Sequence, residues 1–298
     1  MRRLSPSRCV FEGVLAECAG HALGRFAELR IPHRVLTPLV RAYVACLGVD
    51  MSQVIVPPGG FDSLGAFFAR RLRPEARPVC GDPGSVVSPC DGMVVGTGRI
   101  EDGATAVLVI KDRRYRVPEL VGDAMVAAGL TGGGYCVIYL HPRDYHRVHA
   151  PVDATLREVR HIPGARYPMA QWAAELARRG WGKNERVAFD LELPDEGRRC
   201  VLLMVAAFGV GGIECPQLPG EGRPRGEADR AAAAAPVTRG DEIGTFRLGS
   251  SVVLLWPAEL IALADGFGVG ARVLVGQRIG RVTGRAFDAS RPALRPGT

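Results

Sequence analysis

Apolar residues recur at helical spacing over the first fifty positions. Phe11, Val14, Leu15, Cys18, Ala22, Phe26 and Leu29 share one face, with Glu12, Glu17, His21 and Arg25 between them. Pro32 ends that helix. A second carries Val35, Leu36, Leu39, Val40, Tyr43, Val44 and Leu47, with Gly48 as its C-cap. Pro57-Pro58-Gly59-Gly60 reads as a linker. Asp62 or Ser63 then caps a third helix bearing Leu64, Phe67, Phe68 and Leu72, which Pro74 closes.

Beyond Pro78 the period shortens to that of strands. Runs rich in β-branched residues are expected at Met93–Gly96, Ala106–Ile110, Tyr135–Leu140, Thr155–Ile162, Arg186–Leu193, Cys200–Phe208, Ile243–Leu248, Ser251–Trp256 and Arg272–Val275. One helix is expected at Met169–Arg179, and Pro216–Gly240 reads as a long surface loop. The class is α+β: N-terminal amphipathic helices over 1–58, then a mostly antiparallel β domain with a few helices over 59–298.

Composition narrows this picture. A chain of 298 residues with 47% hydrophobic and 23% charged residues is globular, not disordered. Its net charge of +7 favours anionic partners, and the charge is nearly all arginine, since Lys111 and Lys183 are the only lysines. Eight cysteines without a CxxC pair fit a reducing compartment. Glu12 and Glu17 interrupt the N-terminal apolar stretch, which argues against a signal peptide, and no run approaches a membrane span. The helices, with Arg70, Arg71 and Arg73 beside their apolar positions, serve equally as an outer layer of the domain or as an interfacial membrane contact.

Candidate chemistry gathers in three places. A turn from Gly240 leads into the strand Ile243–Leu248, which meets Ser251–Trp256 at the tight corner Leu248-Gly249-Ser250, where a serine follows a glycine. Ser88-Pro89-Cys90-Asp91-Gly92 puts a carboxylate at a turn. Residues 139–151 hold His141, His146 and His149, groups that exchange protons near neutral pH, without an HExxH or cysteine zinc pattern. Asp91, His149 and Ser250 would supply an orienting carboxylate, a base and a nucleophile. A serine hydrolase fits these roles, but the G-x-S-x-G elbow is absent.

The Leu248-Gly249-Ser250-Ser251 corner resembles the self-cleavage site of phosphatidylserine decarboxylases. Pro142-Arg143-Asp144-Tyr145-His146-Arg147-Val148-His149-Ala150-Pro151 is similar to that family's histidine segment, and Ser88–Gly92 to its aspartate segment. Phe67–Arg73 with Arg77-Pro78, Asn184-Glu185-Arg186-Val187 and Gly211-Gly212-Ile213-Glu214 also match, in the right order, from about Phe61 to Trp256. The resemblance implies that Ser250 attacks the carbonyl of Gly249, with His149 as base and Asp91 as orienter. The chain would then split into residues 1–249 (β) and 250–298 (α), and Ser250 would become a pyruvoyl group that forms a Schiff base with phosphatidylserine. The products would be phosphatidylethanolamine and CO₂.

His146 is a candidate for positioning the substrate carboxylate or moving a proton. Neither pyridoxal phosphate nor a metal is expected, since neither lysine lies in a recognisable cofactor motif. The implied partners are phosphatidylserine in an anionic membrane, the chain's own two fragments and, left open, a second copy in a homodimer; no nucleic acid is implied. The implied location is the cytoplasmic face of the cell membrane, as a peripheral protein. The family's usual threonine is Ser251 here, and the substrate loop differs between Arg166 and Trp181. A membrane-bound relative that keeps the fold but never matures is the remaining alternative.

Overall fold

The structure, a computed structural model, describes residues 24–101, 107–110, 113–165, 182–194, 197–207, 212–218, 230–247 and 250–283. Residues 24–28 are helical; the rest of the first expected helix, from Phe11, lies outside the described residues. Helix α1 (His33–Leu47) begins after Pro32 and stops at Gly48, whose left-handed backbone (φ 68°) lets its N–H return to Val44 O. Among its apolar residues only Leu36 is fully buried, in a small cluster with Val49, Val54, Phe61 and Phe67, while Val35 and Leu39 stay exposed.

The third expected helix is shorter than its periodicity suggests. Helix α2 (Leu64–Phe68) is capped by Ser63 Oγ, which accepts from Ala66 N–H at 3.0 Å. Leu72 is not on it: strand β1 (Val54–Ile55) pairs antiparallel with β2 (Arg71–Leu72). The helix ends at Phe68, and the chain is already extended at Arg71–Leu72, where β1 offers a strand partner; Arg73, which precedes Pro74, continues extended (φ −62°, ψ 145°).

Past Pro78 strands dominate. The first are β3 (Ser85–Val87), β4 (Gly92–Arg99), β5 (Val107–Ile110) and β6 (Arg113–Arg116). Helices α3 (Val117–Val121) and α4 (Ala124–Gly129) lead to β7 (Gly134–Leu140), β8 (Arg147–His149) and β9 (Ala154–Ile162). Then come β10 (Arg186–Glu192), β11 (Arg199–Ala206), β12 (Ile213–Glu214), β13 (Arg230–Val237) and β14 (Glu242–Phe246). The last are β15 (Ser250–Trp256), β16 (Ile261–Leu263), β17 (Arg272–Val273) and β18 (Arg278–Val282).

Eight of these form one antiparallel sheet in the order β13-β9-β10-β11-β15-β7-β4-β17. Strands β11 and β15 lie in its middle and carry near-continuous apolar runs, because both faces of the sheet are covered. One core joins this sheet to Leu120 and Leu130 beside it and to Val148, Ile243 and Phe246 of the three-stranded sheet β12-β14-β8.

One further expectation needs correction. The segment Pro216–Gly240 is not loop throughout, since β13 occupies Arg230–Val237 and pairs with β9. Its alanines have little intrinsic strand preference, so pairing across the sheet sets the conformation, and Pro236 is tolerated because the strand is at an edge. The three-stranded sheet β16-β18-β3 and the helices α3 and α4 carry too few residues to show a period. The helix expected at Met169–Arg179 lies outside the described residues.

Candidate active site

The serine corner joins two different sheets. Strand β14 pairs with β8 and β12, whereas β15 pairs with β7 and β11. Leu248 and Gly249 lie outside the described residues, but both ends of the corner are set: Phe246 N–H donates to His146 O (2.9 Å), and Ser250 stands in register with Leu140 and Ala206. Residues 141–146 therefore bridge the same two sheets as the corner. Ala206 is gripped from its other side, its N–H by Glu185 O (2.9 Å) and its C=O by Asn184 Nδ2 (2.7 Å).

Backbone bonds sew the three sequence clusters together. His149 N–H donates to Pro89 O (2.8 Å), Ala150 N–H to Asp241 O (2.8 Å) and Gly240 N–H to Ala150 O (2.9 Å). His149 also faces Glu242 across the β8–β14 pair.

His149 Nδ1 lies 2.7 Å from Gly240 O. A carbonyl only accepts, so Nδ1 carries the hydrogen and Nε2 keeps its lone pair. Tyr145 Oη is 3.4 Å from Nε2, with the two rings 5.7 Å apart. Burial lowers the His149 pKa from 6.5, against the opposing pull of the Gly240 carbonyl, Glu242 and Asp91. The ring is a neutral base at neutral pH.

Asp91 is 3% exposed, and its carboxylate is held by others. Arg77 Nε donates to Oδ1 (2.9 Å), Arg77 Nη2 to Oδ2 (2.5 Å) and Val275 N–H to Oδ1 (2.8 Å). The partner that orients the imidazole hydrogen in this structure is thus the Gly240 carbonyl. Asp91 reaches His149 through its field. Arg77 is in turn anchored on Gln53 Oε1 and Ala76 O, both at 2.7 Å.

Gly92 fits Asp91 into place. A Cβ there would lie 2.5 Å from Tyr139 O and 2.7 Å from Ile138 Cγ2, so β4 approaches β7 only because a side chain is missing. Gly92→Ala is expected to destabilise the fold by about 1–3 kcal/mol, measured by urea unfolding; an unchanged midpoint would show that the strands adjust freely.

His146 is fully buried against Phe68, ring centroids 4.0 Å apart. Its Nδ1 is 2.9 Å from Asp144 O and so carries the hydrogen, while Nε2 has no partner among the described residues. Burial pushes its pKa down to about 3. Because the folded value lies below the ordinary 6.5, the unfolded chain takes the proton first. The neutral ring's contribution to stability is therefore whole above about pH 6.5, declines as pH falls and levels off near 3, at up to about 1.4 kcal/mol per pH unit. Urea midpoints across that range should fall with acid, and less steeply in His146→Leu; equal slopes would contradict this protonation state.

The backbone of Ser250 opens β15, and next to it Ser251 Oγ is buried with no partner among the described residues. Sequence reasoning set Arg77 and Tyr145 only inside matched motifs and gave no role to Glu242 or to Gly240, which acts through its carbonyl and leaves no side-chain signal. Among the described residues no group of three His, Cys, Asp or Glu side chains is placed to hold a metal ion.

Two neutral imidazoles, His149 with its Nε2 facing Tyr145 Oη and His146 with an Nε2 that has no partner among the described residues, lie beside the corner where two antiparallel sheets meet, an arrangement able to exchange protons. The sequence profile of the phosphatidylserine decarboxylase family matches residues 64–281. The chain belongs to the phosphatidylserine decarboxylase family. A relative from Azotobacter vinelandii, named phosphatidylserine decarboxylase proenzyme, is 38% identical over 88% of this chain and 93% of its own. Relatives of the same name from Pseudomonas aeruginosa (37%, covering 84% of this chain and 94% of theirs) and Bordetella pertussis (35%, 86% and 88%) are similar.

Proposed function

We propose that this chain is a proenzyme that cleaves itself between Gly249 and Ser250 and then converts phosphatidylserine to phosphatidylethanolamine and CO₂. Family membership supports the reaction, and the observation that carries the site assignment is the neutral His149 with its Nε2 lone pair, tied by backbone bonds to the strand that leads into the corner. In this reading Nε2 takes the Ser250 hydroxyl proton, with Tyr145 Oη giving way, and the oxygen attacks the Gly249 carbonyl. The peptide bond becomes an ester. Elimination releases residues 1–249 as a carboxylate and leaves a dehydroalanine, which water converts to a pyruvoyl group and ammonia. The serine-hydrolase and non-maturing alternatives are not favoured, since the relatives are named as decarboxylase proenzymes.

Two buried polar atoms fit a pyruvoyl group at position 250: Ser251 Oγ in the adjoining residue and His146 Nε2, both idle among the described residues. The ketone supplies the sink for the electrons released with CO₂. His146, neutral down to about pH 3, is no charge partner for a carboxylate; its Nε2 accepts and passes on a proton. The processed fragments stay together because β15 lies between β7 and β11 of the β chain.

No described helix is long and apolar enough to cross a membrane. Membrane contact falls to the N-terminal face, where Phe26, Leu29, Val35 and Leu39 are exposed, with Arg25, Arg30, Arg34 and Arg41 among them. That face would rest on the cytoplasmic side of an anionic membrane.

Intact mass is the test. The purified protein should give two fragments, the smaller blocked at its N-terminus, and Ser250→Ala should remain one uncut, inactive chain. Carbon dioxide release from phosphatidylserine by Ser250→Ala would refute the assignment.

A further inference from the structure

A cleft of about 220 Å³ lies between the C-terminal end of α1 and the segments carrying Asp91 and Asp144. Arg70, Arg77, Arg143 and Arg272 line it, together with Asp50, Asp91 and Asp144. The carboxylates are already engaged. Asp91 is held by Arg77 and Val275 N–H; Asp144 accepts from His141 N–H (2.8 Å) and Arg272 Nη2 (2.5 Å); Asp50 accepts from Ser52 N–H (3.0 Å) and Gln53 Nε2 (2.8 Å).

What remains is donor capacity. Arg70 is 3% exposed, and its Nη2 donates to Arg143 O (2.7 Å) and Asp144 O (2.9 Å). Its Nε and Nη1 have no partner among the described residues. The Phe67 ring lies 5.2 Å from Arg70 Cζ, a cation–π contact that offers these N–H groups no oxygen or nitrogen acceptor. Leaving such donors idle in a buried group is costly, and although both atoms are closed to solvent, a small turn of the side chain would present them to an acceptor in the cleft that Arg70 lines. Arg143 is also underused, being 44% exposed with an ion pair 4.0 Å long.

Building on the function proposed above, we propose that this cleft is the phosphate subsite, where Arg70 and Arg143 donate to the phosphodiester oxygens of the serine phospholipid. Four guanidinium groups against three carboxylates leave the cleft with net positive charge, and planar forks suit a phosphodiester that only accepts. The location agrees. In a serine head group the phosphorus is three bonds from the reacting carbon, so its subsite must adjoin the reactive corner. Tyr145 and Asp91 are shared by both: they line the cleft, and Tyr145 Oη touches His149. On the other side, Gly48 and Val49 lead to α1 and its exposed Val35 and Leu39, where acyl chains would lie.

The test uses processed enzyme, wild type and Arg143→Gln, on dispersed dihexanoyl phosphatidylserine and on long-chain phosphatidylserine in vesicles with phosphatidylglycerol. Arg143→Gln should cleave itself fully, then show KM raised about 10-fold on the dispersed substrate with kcat within about 3-fold. Glycerophosphoserine should compete in the wild type and lose that effect in the variant, while inorganic phosphate competes far more weakly. Arg70→Lys, which keeps charge but not the fork, should move KM in the same direction. Unchanged KM on the dispersed substrate would overturn the proposal. So would an effect confined to phosphatidylglycerol vesicles, which would mean that bystander lipid is bound, or equal competition by inorganic phosphate. If the wild type released no CO₂, the function would fall, whereas loss of calorimetric glycerophosphoserine binding in Arg143→Gln would still uphold the subsite.

Discussion

His149→Ala is expected to accumulate as a single uncut chain, with self-cleavage slowed by at least about 100-fold. The serine hydroxyl is a weak nucleophile until its proton is taken, and His149 carries an unprotonated ring nitrogen in the segment stitched to the corner. Because burial lowers the His149 pKa, the wild-type rate should hold below pH 6.5 before acid protonates the ring and slows it. The variant's loss should come without collapse of the fold, since the ring is only partly buried and the strand pairing of β8 is made by backbone. A time course of intact mass across pH reads all of this. Processing of His149→Ala at the wild-type rate would show that another group activates the hydroxyl.

The second large effect concerns Asp91 and separates structure from chemistry. Asp91→Ala leaves the Arg77 guanidinium, 16% exposed, without its carboxylate, and is expected to cost about 3–5 kcal/mol of stability. Adding Arg77→Leu removes the stranded charge and should restore most of that stability, because replacing both members of a buried pair with apolar groups is often near neutral. If Asp91 acts on His149 through its field, the double variant folds yet still processes slowly. Wild-type processing in the double variant would reduce Asp91 to an ion-pair partner. Urea unfolding and intact mass on the same three samples decide between these outcomes.

Local chemistry explains which parts were legible in the chain. Gly48 and Ser63 announce helix ends because caps are made by the residue itself and its near neighbours. Strands β7, β11 and β15 show as apolar runs because each is buried whichever way its side chains point. Strand β13 was invisible, since an alanine stretch becomes a strand only when β9 offers it a partner. Leu72 fits a helical face but is extended, because pairing with Val54 of β1, a contact made across the fold, outweighs a spacing pattern.

The sequence by itself determined the three clusters around Asp91, His149 and Ser250 and the family they belong to, because residue types and their order are properties of the chain. Which group faces which was decided by the tertiary structure: Gly240 O on the His149 ring, Arg77 on Asp91, Arg70 with idle donors in a cleft. Those contacts join residues far apart in the chain or run through backbone atoms. Their geometry exists only once strands from two sheets have paired.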